Sequence, residues 1–456
     1  MKKTYILTFT RVYLSMSLCI LVSSLSGCKK YLDSKPDQSI STPSTIDDLY
    51  GIIYNYNFVN ARYPSASEVA SDDYYLTTAD YNSLTNPQNN YYLWTKYSLN
   101  IGDYTAAYNA VEYMNVILDA LPKITPATDS QLNNVKGAAL FIRASYHFSL
   151  SQLYSKPYNS ATAGSDLGIA IRNTSNVNVK PKRGSVEDAY TSIIGDLKQA
   201  LPLLPIKITQ KYLPSRPAAW GLLARIYLSM SDFKDAGIYA DSALKSYGTL
   251  MDYNAISSTA TIPFKQFNDE VLYDARTSAP SALLSSRAKV DTVLYGSYQA
   301  NDLRKAILFR TNANGSKSFK GNYTGLNTAA LFTGIATNEL YLTRAECYAR
   351  NGNLSDGAAD LNMLLQNRWK KGTFIPLTYN NVSALVNAII AERRKELPFR
   401  SLRWIDLRRL NLSETNKITL TRNINNVVYQ LPPNADRYVF AIDQNAVNIS
   451  GLEQNP

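Results

Sequence analysis

The sequence predicts a mainly α protein in which helical hairpins form a scaffold that carries long irregular segments and a few short strands. Three observations support that expectation. Apolar residues recur at three-and-four spacing along the chain, two helix pairs repeat the same small and aromatic positions, and the stretches between are rich in Asn, Ser, Thr, Pro, Gly and Tyr. The chain has 456 residues, 45% hydrophobic and 18% charged, enough to bury a sizeable core.

The elements follow in order. Lys2 and Lys3 precede an apolar stretch interrupted by Arg11, and its uncharged part, 12–27, is too short and too Ser-rich for a membrane span. Residues 1–27 therefore read as a secretory signal. Leu25-Ser26-Gly27-Cys28 resembles the bacterial lipobox: small residues let a peptidase grip extended backbone, and the Cys28 thiol takes the lipid. Mature Cys28 would then carry several acyl chains, enough for stable anchoring. The rest, 28–456, reads as a single domain outside the bilayer.

A first long helix is predicted over 103–121, where Tyr104, Ala107, Tyr108, Val111, Met114, Leu118 and Leu121 share one face before Pro122 stops it. Residues 131–154 repeat the pattern, and 185–204 repeat it again, with Ser185 and Asp188 spaced as a capping box. Helix 216–230 pairs with 233–247, helix 338–350 pairs with 354–369, and 381–397 is a further helix. Ala224, Tyr227, Ala236 and Ala243 follow tetratricopeptide spacing, and Ala345, Tyr348 and Gly357 fall in register with the first three. Because the two pairs lie far apart, a bundle of hairpins is expected in place of a regular solenoid. Segments 29–100, 155–184, 248–335 and 411–456 are expected to be irregular, with only brief strand-like runs such as VVYQL and RYVFAI. Loops of this length are usually functional.

Composition excludes several chemistries. One histidine, His147, and three cysteines, Cys19, Cys28 and Cys347, leave too few ligands for a zinc site and only His147 for a nucleophilic triad. His147 sits in the helical run FIRASYHFSL and reads as a half-buried side chain. Cys347 reads as a small buried apolar residue, and no intrachain disulfide is expected once Cys19 leaves and Cys28 is lipidated. No cofactor or metal is implied. The formal charge is +11, and loss of Lys2, Lys3 and Arg11 with the signal leaves +8, spread along the chain apart from a cluster near residue 400. In that cluster Glu392, Arg393, Glu396 and Arg400 have the spacing of i,i+3 and i,i+4 ion pairs, which makes Glu392 and Glu396 a poor acid/base pair. Interleaved signs also speak against nucleic acid. Arg143 is expected to pair with a buried carboxylate or to cap backbone carbonyls.

The compositional excess is tyrosine, 34 against 13 Phe. Most are expected to pack hairpins with their hydroxyls reaching solvent, and some could stack on sugar rings. The candidates are Tyr74 and Tyr75, which follow two aspartates, Tyr91, Tyr92 and Trp94 in a polar run, and Tyr295 and Tyr298 in LYGSYQANDLR. None of these segments shows an apolar helical face that would bury its rings, so Tyr74, Tyr75, Tyr91, Trp94, Tyr295 and Tyr298 form the expected ligand platform.

Motif order adds a resemblance. The lipobox is followed by YLDSKPDQSISTPSTIDDLYGIIYN, AYNAVEYMNVILDAL, GAALFIRASYHFSLSQLYSKP and GSVEDAYTSIIGDLKQALPLLP. NELYLTRAECYARNGN, ERRKELPFRSLRWIDLRRL and YQLPPNADRYVFAIDQNAVNISGLEQNP then complete the series. The series resembles the RagB/SusD family of outer-membrane nutrient-uptake lipoproteins over essentially all of the mature chain. The resemblance implies a SusD-like α/α fold with an N-terminal part over about 28–250, a variable ligand-side segment over about 251–336 and a C-terminal part over about 337–456. It also implies a non-catalytic, lipid-anchored, cell-surface protein of the outer membrane that captures oligosaccharide and hands it to a SusC-like TonB-dependent transporter. Where the family carries an acidic residue and glycine after the ERRKEL run, this chain has Arg400 and Ser401. The alternatives are a surface glycoside hydrolase and a helical-repeat scaffold for proteins.

Overall fold

The computed structural model describes residues 43–99 and 101–456. The signal segment and Cys28 lie outside the described residues. Ten of the described helices have eight residues or more: α1 (Ile46–Ile53), α2 (Gly102–Ala120), α3 (Asp129–Tyr154), α4 (Val186–Ala200), α5 (Arg216–Ser229), α6 (Phe233–Ser246), α7 (Thr337–Arg350), α8 (Leu354–Gln366), α9 (Val382–Glu396) and α10 (Arg403–Leu410). The periodicity located each of the middle eight. Caps explain several of their starts. Ser185 accepts from the Asp188 amide at 3.0 Å while Asp188 accepts from the Ser185 amide at 2.9 Å, the reciprocal box expected at α4, and Thr128 and Gln131 open α3 in the same way. α4 stops at Ala200, short of 204, because Pro202 cannot donate to the next turn.

The hairpins stack more regularly than the sequence suggested. α2 packs on α3 and α3 on α4, α5 folds back on α6 and α7 on α8, and α6 lies directly against α7 although residues 247–336 separate them in sequence. Small residues permit that approach: a Cβ added at Gly237 of α6 would sit 3.1 Å from the Cβ of Cys347 on α7, and one at Gly221 of α5 would meet Ile335 at 2.5 Å. Tyr227 and Tyr239 stack face to face across the α5–α6 hairpin, with centroids 5.6 Å apart. Cys347 is buried, as expected, and burial pushes its thiol pKa upward. His147 is fully buried, not half-buried. Burial and the nearby Arg143 lower its pKa to about 3, and Nε2 faces the Arg172 amide at 3.4 Å. Arg143 makes the expected ion pair, bidentate to Asp196 at 2.8 and 2.7 Å.

The described strands are short and antiparallel. β1 (Tyr74–Tyr75) pairs with β5 (Lys289–Val290), β2 (Leu167–Ala170) with β3 (Arg183–Ser185), β4 (Val271–Tyr273) with β8 (Ile335–Ala336), β6 (Phe309–Thr311) with β7 (Lys317–Phe319), and β9 (Leu420–Ile424) with β10 (Val427–Leu431). VVYQL is β10, joined to β9 by Asn425 and Asn426, both at positive φ as a tight hairpin requires. RYVFAI is not a strand. Its start lies in a 3₁₀ turn, Asp436–Tyr438, and the rest threads the core, where the Phe440 amide donates to the Leu153 carbonyl. Segment 29–100 is also less irregular than expected, since its described part holds α1 and four helices of four or five residues.

Most tyrosine hydroxyls that the sequence would send to solvent are satisfied inside where the ring is buried. Tyr146 donates to the Val59 carbonyl at 2.8 Å and Tyr323 to Glu270 at 2.6 Å.

Candidate functional site

The charged cluster near residue 400 is a buried structural core. Glu396, at the end of α9, accepts from Arg368 at 2.9 Å, from Arg304 at 3.1 Å and from Asn338 at 2.8 Å. Arg368 also reaches Glu270 at 2.6 Å, and its guanidinium lies 4.1 Å from the Tyr253 ring centre. Arg304 is shared with Asp302 and Glu392. Of the stitching expected within 392–400 a local pair forms between Glu392 and Lys395, while Arg393 turns to Asp406 and Glu339, and Arg400 covers the Tyr323 ring at 3.7 Å. Tertiary partners win because they offer desolvated, near-bidentate geometry that helix neighbours cannot match. Burial alone would raise the Glu396 carboxyl, yet Arg368 and Arg304 hold it at about 2. Such a group has no proton to give near neutral pH.

The expected aromatic platform is largely buried, and its partners explain why. Tyr74, Tyr91, Trp94 and Tyr298 are each at most 3% exposed. Tyr74, Tyr92 and Trp94 cage the Arg422 guanidinium, which lies 3.6 Å from the Tyr92 ring centre, 4.9 Å from that of Trp94 and 5.3 Å from that of Tyr74. Trp94 Nε1 donates to the Ala70 carbonyl at 2.9 Å. Tyr91 packs on Phe440 with centroids 5.0 Å apart. Tyr298 lies beneath Arg304 and Lys395 and donates to the Lys395 carbonyl at 2.7 Å. Exposure was the premise for these four, and it fails. Tyr75 keeps 38% of its surface, and Tyr295 is half-buried with Lys305 and Lys317 each 5.0 Å from its ring centre.

The strand cluster that carries Tyr75 leads to a different feature. β1 pairs with β5, β5 lies beside β7, and Phe319 at the end of β7 lines a shallow surface recess. Phe319 stacks on Phe399 with centroids 4.5 Å apart and ring planes 15° apart. Phe399 has φ 58°, a left-handed conformation costly for a bulky side chain, and such residues gather at functional sites. Leu283 and Leu331 add apolar lining, and Ser285, Asn327, Thr328 and Thr261 add polar lining. Lys320, also in the wall, donates to the Ser258 and Ala260 carbonyls at 2.6 and 3.0 Å. Apolar and hydrogen-bonding lining together suit an amphipathic ring such as a sugar. Sequence reasoning missed Phe319 and Phe399 because a single Phe in KSFKGNY and another in LPFRS carry no exposure signal.

Among the described residues no group of three or more His, Cys, Asp or Glu could hold a metal ion. No described helix is long and apolar enough to cross a membrane.

Residues 30–228 match the family described as starch-binding and associating with outer membrane, and residues 302–456 match the SusD family. The chain belongs to the SusD family. A SusD-like protein P2 from Formosa agariphila is 24% identical over 344 residues, a match that covers 62% of this chain and 66% of that protein, just under two thirds of its length. The fold is likewise that of a SusD superfamily protein from Bacteroides thetaiotaomicron, with a TM-score of 0.74 at 20% identity over 90% of this chain and 100% of that one. The surface glycan-binding protein A from Bacteroides fluxus superposes with a TM-score of 0.69 at 18% identity, over 91% of this chain and 100% of that one. In this SusD-family chain, Ser401 takes a glycine-like φ of 58°, while Glu68 accepts from its amide at 2.7 Å.

Proposed function

We propose that this SusD-family protein is a non-catalytic, cell-surface glycan-binding lipoprotein, anchored to the outer membrane through Cys28, that captures oligosaccharide and delivers it to a SusC-like TonB-dependent transporter. The observation that carries the reading is the recess beside Phe319, a part-exposed ring backed by the buried, strained Phe399 and accompanied by polar side chains. It lies largely within segment 251–336, where the irregular chain has room to vary. A preformed aromatic ring loses little side-chain entropy on binding, and the polar side chains select among sugars. Tyr75, on β1, and Tyr295, in the short helix Thr292–Gly296, remain proposed contacts. The family description and the glycan-binding protein from Bacteroides fluxus support the carbohydrate part of the reading. The hydrolase alternative loses its acid/base candidates, because Glu392 and Glu396 are committed to Arg304, Arg368 and Lys395.

Calorimetric titration of the purified chain with a glycan panel tests the reading. Phe319→Ala is expected to weaken the bound glycan by about tenfold or more, in line with loss of a stacking anchor. Trp94→Ala is expected instead to lower stability by about 3–5 kcal/mol, since it empties the core around Arg422. Binding unchanged in Phe319→Ala would move the site elsewhere, and release of reducing sugar by the protein would promote the hydrolase.

A further inference from the structure

Charge around the recess departs from the pattern of the rest of the molecule. Deep in the fold, arginines meet carboxylates: Arg225 with Glu339, Arg368 with Glu270 and Glu396, Arg409 with Glu346 and Asp406. The segments that wall the recess have none to offer. Residues 253–268, 275–290 and 303–338 contain no Asp or Glu, although Asp269, Glu270, Asp274, Asp291 and Asp302 stand between them. Of their cations, Arg287, Lys305, Arg310, Lys317 and Lys320 pair with no carboxylate of the described residues.

Two of these cations share one aromatic ring. Lys305 and Lys317 each lie 5.0 Å from the centre of the Tyr295 ring, so the two ammonium groups are within twice that distance. Arg310, exposed on β6, donates to Ser285 Oγ at 3.0 Å in the recess lining. Lys320 stands in the wall itself, and burial together with the Arg310 charge pushes its ammonium pKa downward. Lys320 in the wall and Arg310 at Ser285 are the cations nearest the recess, and a concave low-dielectric surface focuses their field. Donors remain for such a partner. Lys320 has committed two of its three N–H groups to Ser258 and Ala260, and Arg310 directs only one of its guanidinium nitrogens to Ser285.

We propose that the glycan taken by this recess is anionic, a chain bearing uronate carboxylates or sulfate esters, with Lys320 and Arg310 meeting the anionic group while Phe319 supports the ring. This rests on the glycan-binding reading and narrows its substrate class. Geometry favours a sugar over other polyanions, because a flat aromatic ring beside the cations rewards a ring as well as a charge.

The test titrates the purified chain with polygalacturonate oligosaccharides, sulfated galactan oligosaccharides, neutral laminarin oligosaccharides and a single-stranded oligodeoxynucleotide. One of the two anionic glycans is expected to bind, to weaken at least about fivefold between 0.05 and 0.5 M NaCl, and to distinguish carboxylate from sulfate as the group recognised. Arg310→Gln, an exposed change, and Lys320→Met are each expected to weaken it about tenfold or more, with Lys320→Arg restoring much of the loss. Tight, salt-insensitive binding of laminarin, unaffected by Arg310→Gln, would overturn this inference and leave the glycan-binding reading standing. Binding of none of the three glycans would overturn both. Oligodeoxynucleotide binding as tight as that of the anionic glycan, and indifferent to Phe319→Ala, would reduce the patch to a general polyanion surface.

Discussion

Glu396 shows how a single side chain can be read in two ways until its partners are known. From the sequence it is one of two glutamates a helical turn apart; in the fold it joins Arg368, Arg304 and Asn338 with no solvent contact. Glu396→Gln would leave two buried guanidinium groups short of charge, and a loss of at least about 3 kcal/mol is expected in urea denaturation, with glycan affinity nearly unchanged in the folded fraction. Glu346, held at about 2 by Arg409 against the opposing effect of burial, belongs to the same class. A carboxyl depressed below its usual 4.5 lends stability that is complete above that pH and disappears as the pH falls toward 2. Thermal melts from pH 6 to pH 2.5 should therefore fall steeply below about pH 4.5 in the native chain and less steeply in Glu396→Gln. The aromatic candidates failed for a related reason. Tyr74 and Trp94 sit in a polar stretch, and nothing within it announces that Arg422 will be inserted between their rings.

The helices were legible because each encodes its own face, stop and cap: Pro122 after α2 and Ser185 with Asp188 at α4 need no distant information. The stacking of α6 on α7 was not legible, since residues 247–336 separate the two in sequence and neither helix encodes its partner. The register of small residues was the available clue, and it recorded the close approach without the partner. Gly221 belongs to the same logic on α5. An added methyl would meet Ile335 at 2.5 Å, so Gly221→Ala is expected to destabilise by about 1–3 kcal/mol despite its better helix propensity. Comparing it with Gly195→Ala, where nothing lies within 4 Å, separates packing from propensity, and equal effects at the two sites would contradict the stacked arrangement.

The whole molecule is a stack of helical hairpins on which a loop-rich segment, most of 251–336, builds a recess, and it belongs to a family defined over both ends of the chain. Motif order made the family legible; the recess was not, because its lining joins Phe319 to Phe399 across eighty residues and draws on three further segments. Anchoring is the proposal that depends on residues before the described fold. Cys28→Ala is expected to leave an unprocessed precursor or to release the protein from the membrane fraction, and normal processing with tight anchoring would contradict the lipobox. The recess itself is tested most directly by a crystal structure of the chain with a bound oligosaccharide. A sugar ring is expected on Phe319, with Ser285 and Lys320 in hydrogen-bond reach. A sugar held on the helical hairpins, with the Phe319–Phe399 recess empty, would contradict it.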